Sequence, residues 1–156
     1  MENIRQAYRL RGSVSDKENF FITYNYDRDV LRNFELCRQL CDAWVKKYPQ
    51  EVTPHGFLSG LISQGTAQYE KSIEEAEKAI GLDPDFTIGY QTMALSYLSL
   101  NRPEEAKAVM QRAALRKLRI QDPSATLFFA AFLNRDQSAM GQGGRATGQG
   151  YSFWRL

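Results

Sequence analysis

The sequence contains few of the residues from which metal sites and most catalytic sites are built. In 156 residues there is one histidine, His55, and there are two cysteines, Cys37 and Cys41. A structural zinc site takes four ligands, mostly Cys and His, and a catalytic triad needs a histidine held by other side chains. We therefore expect His55 to pack in a core or interface, and the cysteines, one helical turn apart, to pack against a partner helix. The sequence predicts no metal and no cofactor.

The sequence also lacks long apolar runs and a strong excess of one charge. No run approaches the roughly 20 apolar residues that span a bilayer, and the opening MENIRQAYRL lacks the apolar segment of a signal peptide. With 20 basic and 18 acidic residues the net charge is +2, which makes a membrane or nucleic-acid partner for the whole chain unexpected. Two cysteines without an export signal favour a reducing, cytoplasmic setting or a fragment of a larger protein.

Residues 69–80 have the pattern of a short amphipathic helix. Its apolar stripe, at i, i+3, i+4 and i+7 spacing, consists of Tyr69, Ser72, Ile73, Ala76, Ala79 and Ile80. Glu74 and Lys78 are spaced and ordered for an ion pair outside this stripe. Pro84 cannot continue the helix and favours an extended conformation at Asp83. Because so narrow a stripe cannot stabilise a lone helix, the sequence predicts neighbouring helices.

The landmarks of this helix recur on both sides of it along the chain. Helix-ending prolines stand at Pro49, Pro84 and Pro123. Other matched positions recur with a nearly constant step: Phe34, Tyr69 and Pro103; Cys37, Ser72 and Ala106; Trp44, Ala79 and Ala113; Phe21, His55 and Tyr90; Tyr24, Leu58 and Met93. The step is about 34 residues, and a period of this length, with two helices and a closing proline in each unit, predicts a stacked array of helix pairs.

The third unit, GYQTMALSYLSLNRPEEAKAVMQRA, resembles the tetratricopeptide repeat. The first-helix signature of that family falls on Tyr90, Met93, Ala94 and Tyr97. Asn101 stands at the turn, where a left-handed backbone favours Gly or Asn. Pro103 then opens the second helix. The small side chain of Ala94 predicts a close approach of the two helices.

The predicted fold is therefore all-α, an α-solenoid of antiparallel helix pairs over residues 1–140. About three tetratricopeptide units are visible, at roughly 18–51, 52–86 and 87–121, with a partial unit at 124–140. The opening IRQAYRL resembles the second helix of a preceding unit, and Ser15 with Glu18 forms a capping box that starts the next helix. The third unit has a lengthened second helix, AVMQRAALRKLRI. We expect the chain to be a segment of a longer array.

A narrower resemblance covers about residues 10–140. The stretches AYRLRGSVSDKENFFI, WVKKYPQEVTPH and GLDPDFTIGYQTMALSYLSLNRPEEA are similar to the C-terminal repeat arrays of bacterial, especially acidobacterial-type, serine/threonine kinases and winged-helix regulators. The resemblance implies a regulatory or docking module of a larger signalling protein. It implies no kinase activity, because the His-Arg-Asp, Asp-Phe-Gly and strand-lysine motifs are missing. An enzyme that uses carboxylates as acid and base is also disfavoured, since these residues lie on outer helix faces beside lysines.

In arrays of this family the first helix of each unit lines a concave groove, which is where partners usually bind. The register predicts these groove residues: Asn19, Ile22, Thr23, Tyr26, Phe57, Gly60, Gln64, Gln91, Thr92, Leu95 and Leu98. They are apolar or amide side chains with almost no charge. A clamp for two carboxylates is therefore not expected, and an apolar or amphipathic peptide or helix fits better. The alternative is that some of these residues, Leu98 in particular, pack against neighbouring helices.

A basic stretch offers a second candidate surface. It consists of Lys107, Arg112, Arg116, Lys117 and Arg119, with no acidic residue between them. The predicted basic helix 107–119 could hold an acidic protein or a nucleic acid. A solvated helix face with cations near its negative end explains the same pattern. We expect the latter, because no glycine loop or interleaved aromatic residues accompany the charges.

The C-terminal stretch, 141–156, departs from the repeat pattern. Residues 141–150 contain five glycines and predict a flexible tether. The tether ends in YSFWRL, and we expect Phe153 and Trp154 to anchor this tail on a repeat surface of the same or a neighbouring molecule. The alternative is a disordered tail or an added extension. The unpaired helices at 3–10 and 125–134 also predict self-association or capping by the tail.

Overall fold

The computed structural model describes residues 2–120, except for the side chain of Gln64. Over this range the chain forms seven α-helices and no strand. They are α1 (Glu2–Leu10), α2 (Asp16–Tyr26), α3 (Phe34–Lys47), α4 (Val52–Gly65), α5 (Tyr69–Leu82), α6 (Thr87–Ser99) and α7 (Pro103–Leu115). The predicted partial unit 124–140, the helix 125–134 and the tail 141–156 lie outside the described residues.

Each helix packs against the next one along the chain, and this arrangement confirms the predicted α-solenoid of helix pairs. The first helices of successive pairs are α2, α4 and α6, and the second helices are α3, α5 and α7. α4 also contacts α6, whereas no comparable contact joins α3 to α5 or α5 to α7 within residues 2–120. The first helices α4 and α6 therefore lie closer together than the second helices. With α2, whose Tyr24 stacks on Phe57 of α4, they form one face of the array, which we call the inner face.

Local start signals act as predicted at α2. The Ser15 hydroxyl accepts a hydrogen bond from the backbone N–H of Glu18, and the Glu18 carboxylate accepts one from the backbone N–H of Ser15 at 2.9 Å. This reciprocal capping box satisfies two of the free N–H groups at the start of the helix. At the end of α5, Asp83 is extended, with φ −135° and ψ 99°, as expected before Pro84.

The turns inside the three helix pairs share one backbone feature. Each holds a residue in the left-handed region, at Arg32 (φ 52°), Ala67 (φ 53°) and Asn101 (φ 56°). These positions recur at the spacing of the repeat, so the turn geometry repeats with the helices. The prediction for Asn101 is confirmed. Arg32 and Ala67 occupy the same geometry without a residue type that favours it.

The core of the described array, residues 2–120, consists of two apolar clusters. One lies between α5, α6 and α7 and contains Ile73, Ala76, Ile80, Tyr90, Met93, Ala94, Ala106, Val109, Met110 and Ala113. The other lies between α2, α3 and α4 and contains Tyr24, Cys37, Cys41, Leu58 and Leu61. The two clusters adjoin where α4 packs against α5.

Three fully buried serines join the middle helices. Ser59 on α4, Ser72 on α5 and Ser96 on α6 have no exposed surface. The Ser72 hydroxyl lies 2.9 Å from the Ser59 carbonyl oxygen and 2.9 Å from the Ser96 hydroxyl, and the Ser59 hydroxyl donates to the Ser72 carbonyl at 3.0 Å. Because every hydroxyl has a partner, these small polar residues allow close helix packing without an unsatisfied buried group.

The first helix pair is packed differently. Trp44 on α3, which is 2% exposed, stands where the later pairs have Ala79 and Ala113. Its indole ring stacks on Phe20 of α2, with centroids 5.4 Å apart and an interplanar angle of 10°. α2 then continues into a π-helical turn, Asp27–Leu31, before the chain reverses. Bulky rings therefore separate α2 from the end of α3, whereas methyl groups allow closer approach in the later pairs.

The ion pair expected between Glu74 and Lys78 is not the one that forms, so this prediction is wrong. Lys78 pairs with Glu75 at 2.6 Å. Glu75 lies at the boundary between α4 and α5, where His55 also holds its carboxylate. The better-fixed acceptor is therefore three residues from Lys78 instead of four.

The prediction of a lengthened second helix, AVMQRAALRKLRI, through residue 120 is also wrong, because α7 ends at Leu115. Lys117 is left-handed, with φ 58°, and the backbone N–H of Leu118 donates to the carbonyl of Ala113 at 3.2 Å. This reversal ends the helix. Leu118 and Ile120 then pack against the apolar cluster of α5 to α7, which favours the turn over further helix.

Candidate functional site

The inner face is held together by direct contacts between the first helices. Phe57 on α4 stacks on Tyr24 of α2, with ring centroids 3.9 Å apart. Farther along the array, Gly56 on α4 approaches the Phe86 ring so closely that a Cβ atom at this position would lie 2.4 Å from it. These two contacts join α2 to α4, and α4 to the N-cap residue of α6.

On α2, the predicted groove residues Asn19, Ile22, Thr23 and Tyr26 are all half-buried. The Thr23 hydroxyl donates to the Asn19 side-chain oxygen at 3.1 Å, which ties these two polar groups together along the helix. Tyr26 stacks on Tyr8 of α1, with centroids 3.8 Å apart, so it also serves to join α1 to the array.

On α4 and α6 the predicted residues divide between packing and exposure. The ring of Phe57 packs against Tyr24. Leu98 packs against the core, which is the alternative that the sequence analysis gave for this residue. The side chains of Gln91 and Thr92 are half-buried, and Gln91 already has an interaction partner. Gly60 is half-buried, and Leu95 is 43% exposed. The side chain of Gln64 lies outside the described residues.

An open cleft of about 410 Å³ lies at one end of the inner face, where α2 begins, α3 ends and α4 begins. We call it the Phe21 cleft, and its lining residues are Lys17, Glu18, Phe21, Ile22, Trp44, Glu51 and Thr53. Ile22 is thus a predicted groove residue that lines a cavity. The repeat matches Phe21 to the packing positions His55 and Tyr90, and this prediction is wrong because Phe21 is 50% exposed. The repeat period alone could not reveal this difference, because the period assigns matched positions but does not give the exposure of a side chain.

Charged groups surround the apolar floor of the Phe21 cleft. Lys17 on α2 forms an ion pair with Glu51, which directly precedes α4, and so bridges the cleft. The hydrogen bonds from the Ser15 side chain and backbone hold the pKa of Glu18 below its ordinary value, so Glu18 remains an anion. With one cation and two anions, the rim has one negative charge in excess.

One wall residue of the cleft has an unusual polar group. The indole N–H of Trp44 is buried and has no hydrogen-bond partner among residues 2–120. A buried donor without an acceptor costs about 1–3 kcal/mol.

A second crevice, which the sequence reasoning missed, involves α3 and α4. It has a volume of about 220 Å³ and is lined by Phe34, Glu35, Arg38, Leu61, Ile62, Gly65 and Thr66. A neighbouring crevice of about 360 Å³ shares Arg38, Ile62 and Thr66 with it. The side chain of Phe34 is 50% exposed. The repeat period places Phe34 at the start of a helix, but it does not indicate how much of this side chain is exposed.

His55 occupies a buried position, as predicted, but it has a charged partner that the sequence did not reveal. Its Nδ1 atom lies 2.7 Å from the Glu75 carboxylate. Burial raises the pKa of Glu75, and the hydrogen bonds from His55 and Lys78 outweigh this effect and lower it overall. The contact therefore ties α4 to α5 with Glu75 in its anionic form.

Cys37 and Cys41 are both fully buried between α2, α3 and α4. Burial raises the pKa of the Cys37 thiol to about 11 and that of Cys41 still further. Neither is a reactive thiolate near neutral pH, since reactivity requires the deprotonated form. Within the described part of the chain, no group of three His, Cys, Asp or Glu residues could hold a metal ion.

The basic stretch 107–119 is not one helix. α7 ends at Leu115, so Arg116, Lys117 and Arg119 follow the turn rather than the helix. Arg116 is paired with Asp85 at 2.7 Å, and the Arg112 guanidinium lies 5.1 Å from the Tyr90 ring centroid. Two of the five cations are therefore engaged within the molecule.

Comparisons with known proteins agree with this architecture. Two segments, residues 57–86 and 89–117, match the family model described as tetratricopeptide repeat. The matched segments cover most of the second and third helix pairs and leave the first pair outside. Comparisons with curated proteins and with solved structures found no match. Over residues 2–120 no helix has the length and apolar character needed to cross a membrane. The two matches and the stacked helix pairs together support a tetratricopeptide-repeat protein.

Proposed function

We propose that the chain is a non-catalytic scaffold that binds an apolar or amphipathic peptide or helix on its inner face. The observation that carries this proposal is the Phe21 cleft, where Phe21 and Ile22 present apolar surface between two first helices. Tetratricopeptide repeats generally mediate protein–protein interaction, and their fold is typically non-catalytic. An aromatic ring half-exposed in a cleft of this size is a suitable anchor point for a partner side chain.

The proposal includes a place in a larger cytoplasmic signalling protein of bacterial type, as its regulatory or docking part. This element rests on the resemblance of the segment LRGSVSDKE and the later repeats to the arrays attached to bacterial kinases and regulators. Ser15, Asp16 and Glu18 of that segment begin α2, so the distinctive part of the resemblance lies beside the Phe21 cleft.

Selection from a displayed random-peptide library, with the full chain as target, tests the binding function. Binding of the selected synthetic peptides would be measured by titration calorimetry on the parent and on two inner-face variants, Ile22→Glu and Leu95→Glu. We expect at least a tenfold loss of affinity for one of these variants, because a buried unpaired carboxylate opposes an apolar ligand.

The control is Leu115→Glu, at an 85% exposed position where α7 ends, and circular dichroism would establish that each variant remains folded. Peptides whose affinity is unchanged in both inner-face variants would contradict the proposed groove. Binding that weakens steeply with salt and depends on Lys107 and Lys117 would instead identify the basic stretch as the binding surface.

A further inference from the structure

The Phe21 cleft has features that select among possible occupants. Its floor is apolar, with Phe21 and Ile22 beside the Trp44 wall, and its rim carries Lys17, Glu18 and Glu51. The complementary ligand is a short segment with aromatic side chains and one positive charge. The sequence contains such a segment in YSFWRL, residues 151–156, with three aromatic residues followed by Arg155.

We propose that residues 151–156 of the same chain occupy the Phe21 cleft. Phe153 and Trp154 pack on Phe21 and Ile22, and Arg155 lies at the acidic rim formed by Glu18 and Glu51. This inference rests on the proposed function, because it assigns an internal ligand to the same binding face. The tail then competes with external peptides for the same surface.

The connecting chain is long enough for this arrangement. Residues 121–150 separate the end of the described array from the tail. At about 3.3 Å per residue they reach roughly 100 Å when fully extended. The cleft at α4 is three helix packings from α7, a path of roughly 30 Å at about 8–10 Å per packing. Five glycines in residues 141–150 give the final part of the connection the freedom to turn.

The charge at the rim of the cleft agrees with this occupant. Glu18 and Glu51 outnumber Lys17 at the rim, and Arg155 brings one positive charge to it.

The two tryptophans of the chain provide the test. In ¹⁵N-labelled full-length protein, Trp44 and Trp154 each give one indole N–H resonance, and Trp154→Phe assigns them. We expect the Trp154 resonance to lie away from its random-coil position. We also expect the fluorescence of Trp154, obtained by comparing the parent with Trp154→Phe, to be protected from acrylamide quenching. Phe21→Glu should move the resonance to the random-coil position, whereas the control Ile88→Glu, at a 47% exposed site on α6, should leave it unchanged.

A titration in trans tests the site directly. The full-length double variant Phe153→Ser/Trp154→Ser should bind the synthetic peptide acetyl-YSFWRL-amide and shift the Trp44 indole resonance. The same double variant with Phe21→Glu added should bind at least tenfold more weakly. A Trp154 resonance at the random-coil position in the parent, with no peptide binding in trans, would overturn the proposal.

Two further outcomes are distinguishable. Protection of Trp154 that disappears on dilution, together with a dimer in sedimentation, would show that a second copy holds the tail and would overturn docking within one chain. Library peptides that still depend on Ile22 or Leu95 would leave the scaffold function standing even when the tail proposal fails.

Discussion

Large aromatic side chains pack between the helices of the first pair, whereas small side chains pack between the helices of the two later pairs. Between α4 and α5, and between α6 and α7, buried serines and alanines let the helices approach closely. Between α2 and α3, the rings of Phe20 and Trp44 fill the space instead. The first pair also differs in having a half-exposed aromatic residue, Phe21, beside an open cleft.

The same contrast appears in the polar groups of the interior. The second pair holds His55 and Glu75 where the first pair has Phe21 and Leu40 at the matching repeat positions. In the second pair a hydrogen bond of 2.7 Å joins the two side chains. The repeat therefore keeps the position and geometry of its helices while the chemistry at each position changes.

The largest expected effect is the loss of the aromatic core of the first pair. Trp44→Ala gives this pair the side chain found at Ala79 and Ala113, but α2 keeps the bulky Phe20. The substitution therefore leaves a cavity, and we expect a loss of about 3–5 kcal/mol in the free energy of unfolding. Chemical denaturation of the parent and the variant measures it. Phe34→Ala, at a half-exposed position on α3, is the control, and equal losses in the two variants would contradict the described packing.

The later pairs should lose stability when a larger side chain is placed in their core. Ala94 on α6 is fully buried in the cluster formed by α5, α6 and α7. We expect Ala94→Leu to destabilise the protein by about 1–3 kcal/mol, because the added atoms force neighbouring helices apart. Ala108→Leu, at an exposed position on α7, is the matched control. An unchanged thermal midpoint for Ala94→Leu would show that the helices are not in close contact there.

How far the sequence predicts this molecule depends on the range over which each signal acts. The capping box at Ser15, the left-handed turn at Asn101 and the helix start at Pro103 are local rules, and all three are confirmed. The end of α7 at Leu115 was missed, because neither Gly nor Pro marks it and the reversal depends on the burial of Leu118 and Ile120.

The candidate site was less predictable than the fold. Helical periodicity assigns Ile22 to the inner face, and it does line the cleft. It cannot report the distance between two helices, so it could not show that Phe21 remains exposed. Asp85 and Arg116 are likewise far apart in sequence, and they meet only because α6 and α7 bring them together.

A glycine substitution in the turn of the second pair should stabilise the protein more than the same substitution in the turn of the third pair. Ala67 has a left-handed backbone, which costs an L-residue with a Cβ atom roughly 1–2 kcal/mol. We expect Ala67→Gly to raise stability by about 1 kcal/mol, reduced by the greater freedom of glycine in the unfolded chain. Asn101→Gly should gain less, because asparagine tolerates this conformation. A lower thermal midpoint for Ala67→Gly would contradict the assigned turn geometry.

The smallest expected effect concerns the hydrogen bond between His55 and Glu75. The matching positions of the first pair, Phe21 and Leu40, have no such bond. The pKa of Glu75 is lowered in the folded protein by His55 and Lys78, against the opposing effect of burial. A carboxyl group with a depressed folded pKa stabilises the protein above its unfolded pKa, near 4.5, and this contribution is lost as the pH falls through the folded value. The charge of Glu75 should therefore contribute at neutral pH and stop contributing in acid.

Glu75→Gln isolates this contribution, since glutamine keeps an acceptor for His55 but carries no charge. We expect the substitution to lower stability at neutral pH by about 1 kcal/mol or less. Below the folded pKa of Glu75 the parent and the variant should become nearly equal in stability. Denaturation midpoints measured from neutral pH into the acid range give the comparison, with Glu74→Gln on the exposed face of α5 as the control. A gap between parent and Glu75→Gln that stays constant over this range would show that the charge of Glu75 does not tie α4 to α5.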